Sequence, residues 1–299
     1  MIEVKQVSKR FGSNRVINNV SFKISEGEIV GLLGPNAAGK TTTLRMLTGV
    51  LPVTNGQVTI DGRNPIEDVQ TRNSIGYLPE DNPLYEEMTV EEWLNFWAKI
   101  KQLPDSASQI TKVVNKTGLE QVYYRLISEL SKGYRQRAGL AQAMLGNPKI
   151  LILDEPSEGL DPNQRREIQK LVKELGEKRT VVISSHVLGE ITKMCNRIMI
   201  MHHGQIVADG TPDELTSAAG GNQVIEAELK GKSVKTGLKA IKGVVEVNEE
   251  MDHHFVLKVE GTQDIRLEIF KLAKKNNWEL YELTQKKVEL EDVFSLLTH

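Results

Sequence analysis

Between the apolar run Ile29-Val30-Gly31-Leu32-Leu33 and a helical pattern over Thr41 to Leu47 stands the loop Gly34-Pro35-Asn36-Ala37-Ala38-Gly39-Lys40-Thr41. A short continuous apolar run that ends in turn residues reads as a strand buried on both faces. A helix starting directly after the loop turns its unpaired N–H groups and the positive end of its dipole back toward it. Gly34 and Gly39 let the backbone curl around an anion, Lys40 supplies a reaching positive charge, and the Thr41 hydroxyl suits a divalent cation such as Mg2+. Strand, loop and helix in this order form a site for the phosphates of a nucleotide, with Thr42 at the helix start meeting the α phosphate.

The flanking sequence supplies the rest of such a fold. Residues 1 to about 30 alternate apolar and polar and predict an antiparallel strand pair turning at Gly12-Ser13-Asn14. Val58 to Gly62 and Ile75 to Pro79 read as further short strands of the core sheet. From Pro83 to Asn147 the strand pattern disappears. Thr89-Val90-Glu91-Glu92 has capping-box spacing and opens a helix whose apolar stripe is Val90, Trp93, Leu94, Trp97 and Ile100, so residues 83–147 read as a helical insertion. The Trp93, Phe96 and Trp97 cluster reads first as internal packing. Strands return at Ile150 to Leu153, Val181 to Ile183 and Ile198 to Met201, separated by helical patterns at Arg165 to Leu175 and Leu188 to Met194. That alternation predicts an α/β domain with a mostly parallel core sheet covered on both faces. Ser217-Ala218-Ala219-Gly220-Gly221 marks a linker at 217–222 between a first domain over 1–216 and a second over 223–299. The second reads strand, helix, strand, strand, helix, strand, the order of a small α+β ferredoxin-like unit.

Charge narrows the function classes. With 38 basic and 40 acidic side chains the formal charge is -2, so no electrostatic footprint for nucleic acid exists and none is expected as a partner. The apolar stretches are strand-length, against the roughly 20 residues that span a bilayer, and the start Met1-Ile2-Glu3-Val4-Lys5 has no signal-peptide core. The expected location is the cytosol, with membrane attachment supplied by another chain. Cys195 is the single cysteine, which excludes an intramolecular disulfide, and its surroundings read as a buried helix-to-strand junction.

Two further residues carry chemistry by position. Asp154 ends a strand read as buried, where a carboxylate is costly unless it serves a cation or a hydrogen-bond network. Asp161, before Pro162, reads as a helix cap.

Leu130-Ser131-Lys132-Gly133-Tyr134-Arg135-Gln136 and Leu151-Ile152-Leu153-Asp154-Glu155-Pro156 follow the phosphate loop in that order. The ordered trio resembles the ATP-binding cassette (ABC) ATPases, and covers residues 1 to about 215. The resemblance implies a P-loop ABC ATPase domain with an antiparallel β subdomain, acting as a pair around two ATP with Mg2+, in a homodimer or with a paired ABC subunit. It also implies a separate transmembrane permease subunit as partner, and so a place on the inner face of the membrane. Glu155 resembles the family's general base, and His186 its γ-phosphate switch. Ser131, Lys132, Gly133 and Tyr134 resemble the signature segment that caps a partner's nucleotide, beside the Asp161 loop. Phe11 stands where the family stacks an aromatic on adenine, with core packing as the alternative, and Val16 is the second wall.

Three departures matter. Ala37 stands where Gly is usual, so a positive φ there would cost about 1–2 kcal/mol. Glu80, in Tyr77-Leu78-Pro79-Glu80, replaces a Gln that touches Mg2+ and the attacking water; it can still ligate through oxygen, or be a solvated loop carboxylate. Lys132 and Tyr134 replace Gly and Gln. Ser-Lys-Gly-Tyr with Leu-Pro-Glu resembles the branch that energises ABC-2 type exporters, including gliding-motility and drug or ion efflux subunits, and Val288 to Phe294 resembles its accessory tail. Set against an exporter ATPase are a soluble ABC ATPase and a low-turnover regulatory subunit.

Overall fold

The computed structural model describes residues 1–218, 223–260, 264–286 and 290–298. It falls into two compact units, Met1–Thr211 and Pro212–Leu297. Of the expected linker, residues 219–222 lie outside the described residues, as do Val288 and Glu289 of the expected tail.

In the first unit β1 (Ile2–Phe11) and β2 (Asn14–Ile24) form the expected hairpin. β3 (Ile29–Leu33) is buried throughout and runs through the loop into α1 (Lys40–Leu47). β4 (Asn55–Ile60) contradicts the core-sheet expectation for this segment, since it pairs antiparallel with β1 in a separate sheet of order β2-β1-β4. An apolar run does not specify which edge it joins; here Ile60 lies opposite Ile2 and Val58 opposite Val4, and those cross-strand apolar pairs decide it.

After α2 (Val69–Asn73) and β5 (Ile75–Leu78), three helices make the insertion: α3 (Val90–Ile100), α4 (Ser106–Thr117) and α5 (Lys132–Met144). The capping box is formed: Thr89 Oγ1 accepts the Glu92 N–H at 3.1 Å and Glu92 Oε2 accepts the Thr89 N–H at 2.8 Å. Ile100 corrects the expected stripe, being 53% exposed. At ~100° per residue it falls on the stripe's margin, and Ala98 takes the buried place.

The chain then alternates β6 (Ile150–Asp154), α6 (Pro162–Gly176), β7 (Thr180–Ser185), α7 (Leu188–Met194) and β8 (Arg197–His202), and closes with β9 (Gln205–Gly210). The core sheet has the order β5-β6-β7-β3-β8-β9, parallel except for β9. Val30, Leu32, Ile152 and Val182 pack in one core with Ile2, Val4, Phe22 and Val58 of the antiparallel sheet. Each such side chain contributes roughly 1.5–3 kcal/mol on burial. On the opposite face Gly31 leaves room for Ile191 and Cys195 of the α7 segment. Cys195 caps α7 and is buried, which pushes its thiol up to about 12, so it packs rather than reacts.

The second unit comprises α8 (Pro212–Ala218), β10 (Gln223–Lys230), α9 (Val234–Lys239), β11 (Val244–Met251), β12 (His254–Val259), α10 (Arg266–Lys275), β13 (Glu279–Lys286) and α11 (Leu290–Thr298). Its antiparallel sheet, β11-β12-β10-β13, has the strand order of the ferredoxin-like unit around its own core of Ile225, Leu257, Ile269 and Trp278. Among the described residues no helix is long and apolar enough to cross a membrane.

Gly76 of β5 sits against α5, where an added methyl would overlap the Ala143 carbonyl oxygen and the Leu151 side chain. Gly76→Ala is expected to cost roughly 2–3 kcal/mol by overpacking against a backbone that cannot yield, measured as a lowered midpoint in urea unfolding.

Candidate functional site

Four adjacent parallel strands deliver the site at their carboxyl ends. β3 enters the phosphate loop, β5 leads to Glu80, β6 ends at Asp154 before Glu155, and β7 leads to His186. This is the edge at which open α/β sheets bind ligands. A cavity of about 650 Å3 lies here, lined by Val16, Asn36, Ala37, Ala38, Gly39, Lys40, Thr41, Thr42, Glu80 and Glu155. Asn14, Arg15, His203 and Gly204 line it too. Sequence reasoning, which drew Phe11 and Val16 from the β1–β2 hairpin, missed these four, because no motif marks them or the β8–β9 turn.

Phe11 is 51% exposed at the end of β1, with the Lys9 ammonium 5.1 Å from its ring centre. It is therefore not a core residue, and it stands outside the cavity lining.

Loop geometry follows from two residues. Gly39, at φ 108, caps α1 in a conformation closed to residues with a Cβ. Ala37 adopts φ 64, so the replacement of Gly carries the expected cost of about 1–2 kcal/mol. The Lys40 ammonium donates to the Gly34 and Pro35 carbonyl oxygens at 2.8 and 3.2 Å and lies 3.4 Å from Glu155 Oε1.

Asp154 is fully buried. Its Oδ1 accepts the Ser184 hydroxyl at 2.6 Å and lies 3.2 Å from Thr41 Oγ1, whereas Oδ2 is buried with no partner. Desolvation raises its carboxyl above the usual range; the Ser184 and Thr41 hydrogen bonds oppose that rise, and the Glu80 and Glu155 charges reinforce it. Thr41 Oγ1 is also 3.2 Å from Glu80 Oε2, so Glu80, an exposed turn residue, stands at the rim of the site. One hydroxyl and two carboxylates, one with an unsatisfied buried oxygen, form an all-oxygen donor set that fits a hard divalent cation.

Glu155 is held at φ 46, a strained conformation for a residue with a Cβ. Its N–H donates to Ser184 Oγ at 2.9 Å, and its Oε2 lies 3.0 Å from His186 Nδ1. Ser184 thus orients both acidic residues. Its only sequence signal is a hydroxyl at the end of a buried strand.

The signature residues lie elsewhere. Ser131 caps α5, its Oγ accepting the Tyr134 N–H at 3.4 Å. The Lys132 side chain runs against Gly159 and Gly133 packs on Gln164, while the Tyr134 ring lies 5.8 Å from the Arg137 guanidinium. Asp161 caps α6, its Oδ1 accepting the Asn163 and Gln164 N–H groups at 2.9 and 3.0 Å. None of these residues lines the phosphate cavity.

The family pattern described as ABC transporter matches residues 17–158. The linearmycin resistance ATP-binding protein LnrL of Bacillus subtilis (strain 168) is 33% identical over 264 residues, 87% of this chain and 85% of that protein. The chain belongs to the ABC transporter family. Among solved structures, an ATP-binding subunit of an ABC transporter superimposes with a TM-score of 0.67 at 30% identity, over 73% of this chain and 92% of that one. The ATP-binding cassette MJ0796, in a dimeric post-hydrolysis state bound to ADP and Pi, superimposes with a TM-score of 0.65 at 25% identity, over 71% and 98%. The chain is thus an ATP-binding, ATP-hydrolysing subunit of an ABC transporter.

Because the Asp154 carboxyl is raised in the folded chain, its contribution to stability is full below the ordinary carboxylate value and is lost as pH rises through the folded value. Asp154→Asn removes that loss together with one oxygen of the donor set. In EDTA it is expected to melt higher than the parent at pH 7, with a smaller gap at pH 4, and in Mg2+ it is expected to show no ATP hydrolysis where the parent does. Thermal unfolding at both pH values and a phosphate-release assay check this.

Proposed function

We propose that this chain is the ATPase of an ABC-2 type exporter, in which two cassettes close around two ATP and drive a separate transmembrane permease. The observation that carries the paired reading is the division of labour within one chain. Lys40, Asp154, Glu155 and His186 converge on one loop edge, while Ser131 and Gly133 lie outside that cavity. A signature segment directed at a γ phosphate then needs a second chain. ATP favours closure because the γ phosphate touches both halves only when they meet. In this reading residues 1–216 form the cassette, residues 223–299 an accessory domain, and the assembly works at the cytoplasmic face.

In hydrolysis, water attacks the γ phosphorus in line as the bond to the β–γ bridging oxygen breaks, giving ADP and phosphate. Glu155 receives the proton of the attacking water. His186, 3.0 Å from Glu155 Oε2, orients that carboxylate and reaches the γ phosphate. Lys40 exchanges its loop carbonyls for β and γ phosphate oxygens, at little reorganisation cost. Thr41, Glu80 and Asp154 would hold Mg2+, which would neutralise charge on those phosphates. Glu80 in place of Gln leaves the site more acidic and so more dependent on that cation.

The permease docks along the helical insertion. Tyr85, Trp93, Phe96 and Trp97 form a continuous aromatic cluster with ring centres 5.3–6.3 Å apart. Trp93 is buried, Phe96 is partly exposed, and Tyr85 is 51% exposed. Internal packing therefore accounts for Trp93, and the outer rings remain for docking. Tyr85→Ala with Phe96→Ala is expected to reduce copurification of the permease at least fivefold while leaving nucleotide affinity unchanged; loss of both would mean misfolding instead.

The function itself is tested by Mg2+-dependent ATP hydrolysis across a protein concentration series, with and without the permease. Turnover is expected to rise more than linearly with protein and to fall at least a hundredfold in Glu155→Gln, the order of a lost general base. Nucleotide binding without turnover, even with the permease present, would replace the exporter by a regulatory ATP-binding subunit.

A further inference from the structure

Glu190 lies in the first turn of α7, is 7% exposed, and belongs to no nucleotide-binding motif. A carboxylate so buried is costly unless its oxygens are satisfied. Its Oε2 accepts the Ser157 hydroxyl at 2.9 Å and the Ser185 hydroxyl at 3.5 Å, and its Oε1 forms an ion pair with Arg165, 3.0 Å from Nε but without a hydrogen bond. The chain separates these partners widely. Ser157 is two residues beyond Glu155, Arg165 is in the first turn of α6, and Ser185 precedes His186.

Each partner also fixes a neighbouring loop. Ser185 Oγ accepts the Val187 N–H at 3.0 Å, closing a turn around His186. Arg165 Nη2 donates to the Leu160 carbonyl oxygen at 3.3 Å. The loop held in this way, residues 157–161, carries Gly159, on which Lys132 packs, and runs directly into α6, where Gln164 meets Gly133. One carboxylate therefore fastens the His186 turn to the loop that supports the signature segment.

We propose that Glu190 is a positioning residue that couples the two ATP sites of the dimer. His186 belongs to the site on its own chain. The Ser131 segment, by the paired reading given above on which this inference rests, belongs to the site across the interface. A shift of His186 on meeting or losing a γ phosphate is then passed through the Ser185 turn, Glu190 and Ser157 to the 157–161 loop, and from there to the signature segment. Such coupling requires one element that both sites bias, and this carboxylate holds segments of both.

The test compares the full chain with Glu190→Gln, Ser157→Ala and the double variant in the ATPase assay. Gln keeps the shape and one acceptor but lacks the charge that faces Arg165. Glu190→Gln is expected to lower kcat about tenfold, the order of losing the Arg165 ion pair and the charge on the acceptor of the Ser157 hydroxyl. KM for ATP should stay within twofold, and the Hill coefficient in ATP should fall toward one. Ser157→Ala should do the same more weakly, and the double variant should be no worse than Glu190→Gln, because the two residues act in one link. A Glu190→Gln chain with the parental kcat and Hill coefficient overturns the proposal, and so does one whose melting temperature alone falls. Should Glu190→Gln fail to fold, Ser157→Ala and Arg165→Lys carry the same comparison. A parent chain whose turnover is linear in protein, with a Hill coefficient of one, overturns the paired reading and this inference with it; a cooperative parent beside an unaffected Glu190→Gln sinks only the inference.

Discussion

At the carboxyl end of β6 the chain places two acidic side chains in sequence, both buried, within reach of a third, Glu80. Desolvation and mutual repulsion oppose this arrangement, and the surrounding residues are organised to offset it. Ser184 supplies a hydroxyl to Asp154 and accepts the backbone N–H of Glu155, Thr41 reaches Asp154, and the Lys40 ammonium faces Glu155. Even so one Asp154 oxygen is left without a partner. A free chain with this deficit gains most from a ligand that brings a cation and phosphates together, and the preorganised charge is what lowers the barrier to phosphoryl transfer.

Part of the chain's backbone strain sits at the same place. Ala37 and Glu155 both adopt positive φ, one in the phosphate loop and one at the end of β6. Each costs on the order of 1–3 kcal/mol, and the stability that tolerates it comes from the buried strands behind them. β3, β6 and β7 expose almost nothing on either face, and their shared core with the antiparallel sheet makes the carboxyl edge stiff. The site is thus a deformed and highly charged rim on a conventional apolar core.

Function also requires motion, and the two sets of residues are built differently for it. Asp154, Glu155 and His186 hang on strand ends of the core sheet, whereas Ser131 begins a helix of the insertion. Within one chain the two meet through the loop after Glu155, by way of Glu190, Ser157 and Arg165 on one side and Lys132 and Gly133 on the other.

The geometry of the phosphate loop and the helix caps was legible in the sequence because it depends on local order. A loop of fixed spacing between an apolar strand and a helix can do little else, and residues 34–41, Asp154 and the capping residues Thr89 and Asp161 stand in the structure as the spacing implied. Strand periodicity likewise carried most of the core sheet and the ferredoxin-like unit. What the tertiary structure decided is which distant pieces meet: β4 joins β1 instead of the core sheet, Asn14, Arg15 and His203 wall the nucleotide cavity, and Ser184 and Glu190 bridge segments some 30 residues apart. Periodicity and motif spacing record which face of an element is apolar and which backbone conformations a loop needs. They carry no record of which edge a strand finds or which buried hydroxyl satisfies which carboxylate, since those follow from long-range packing and from the cost of leaving a buried polar group unpaired.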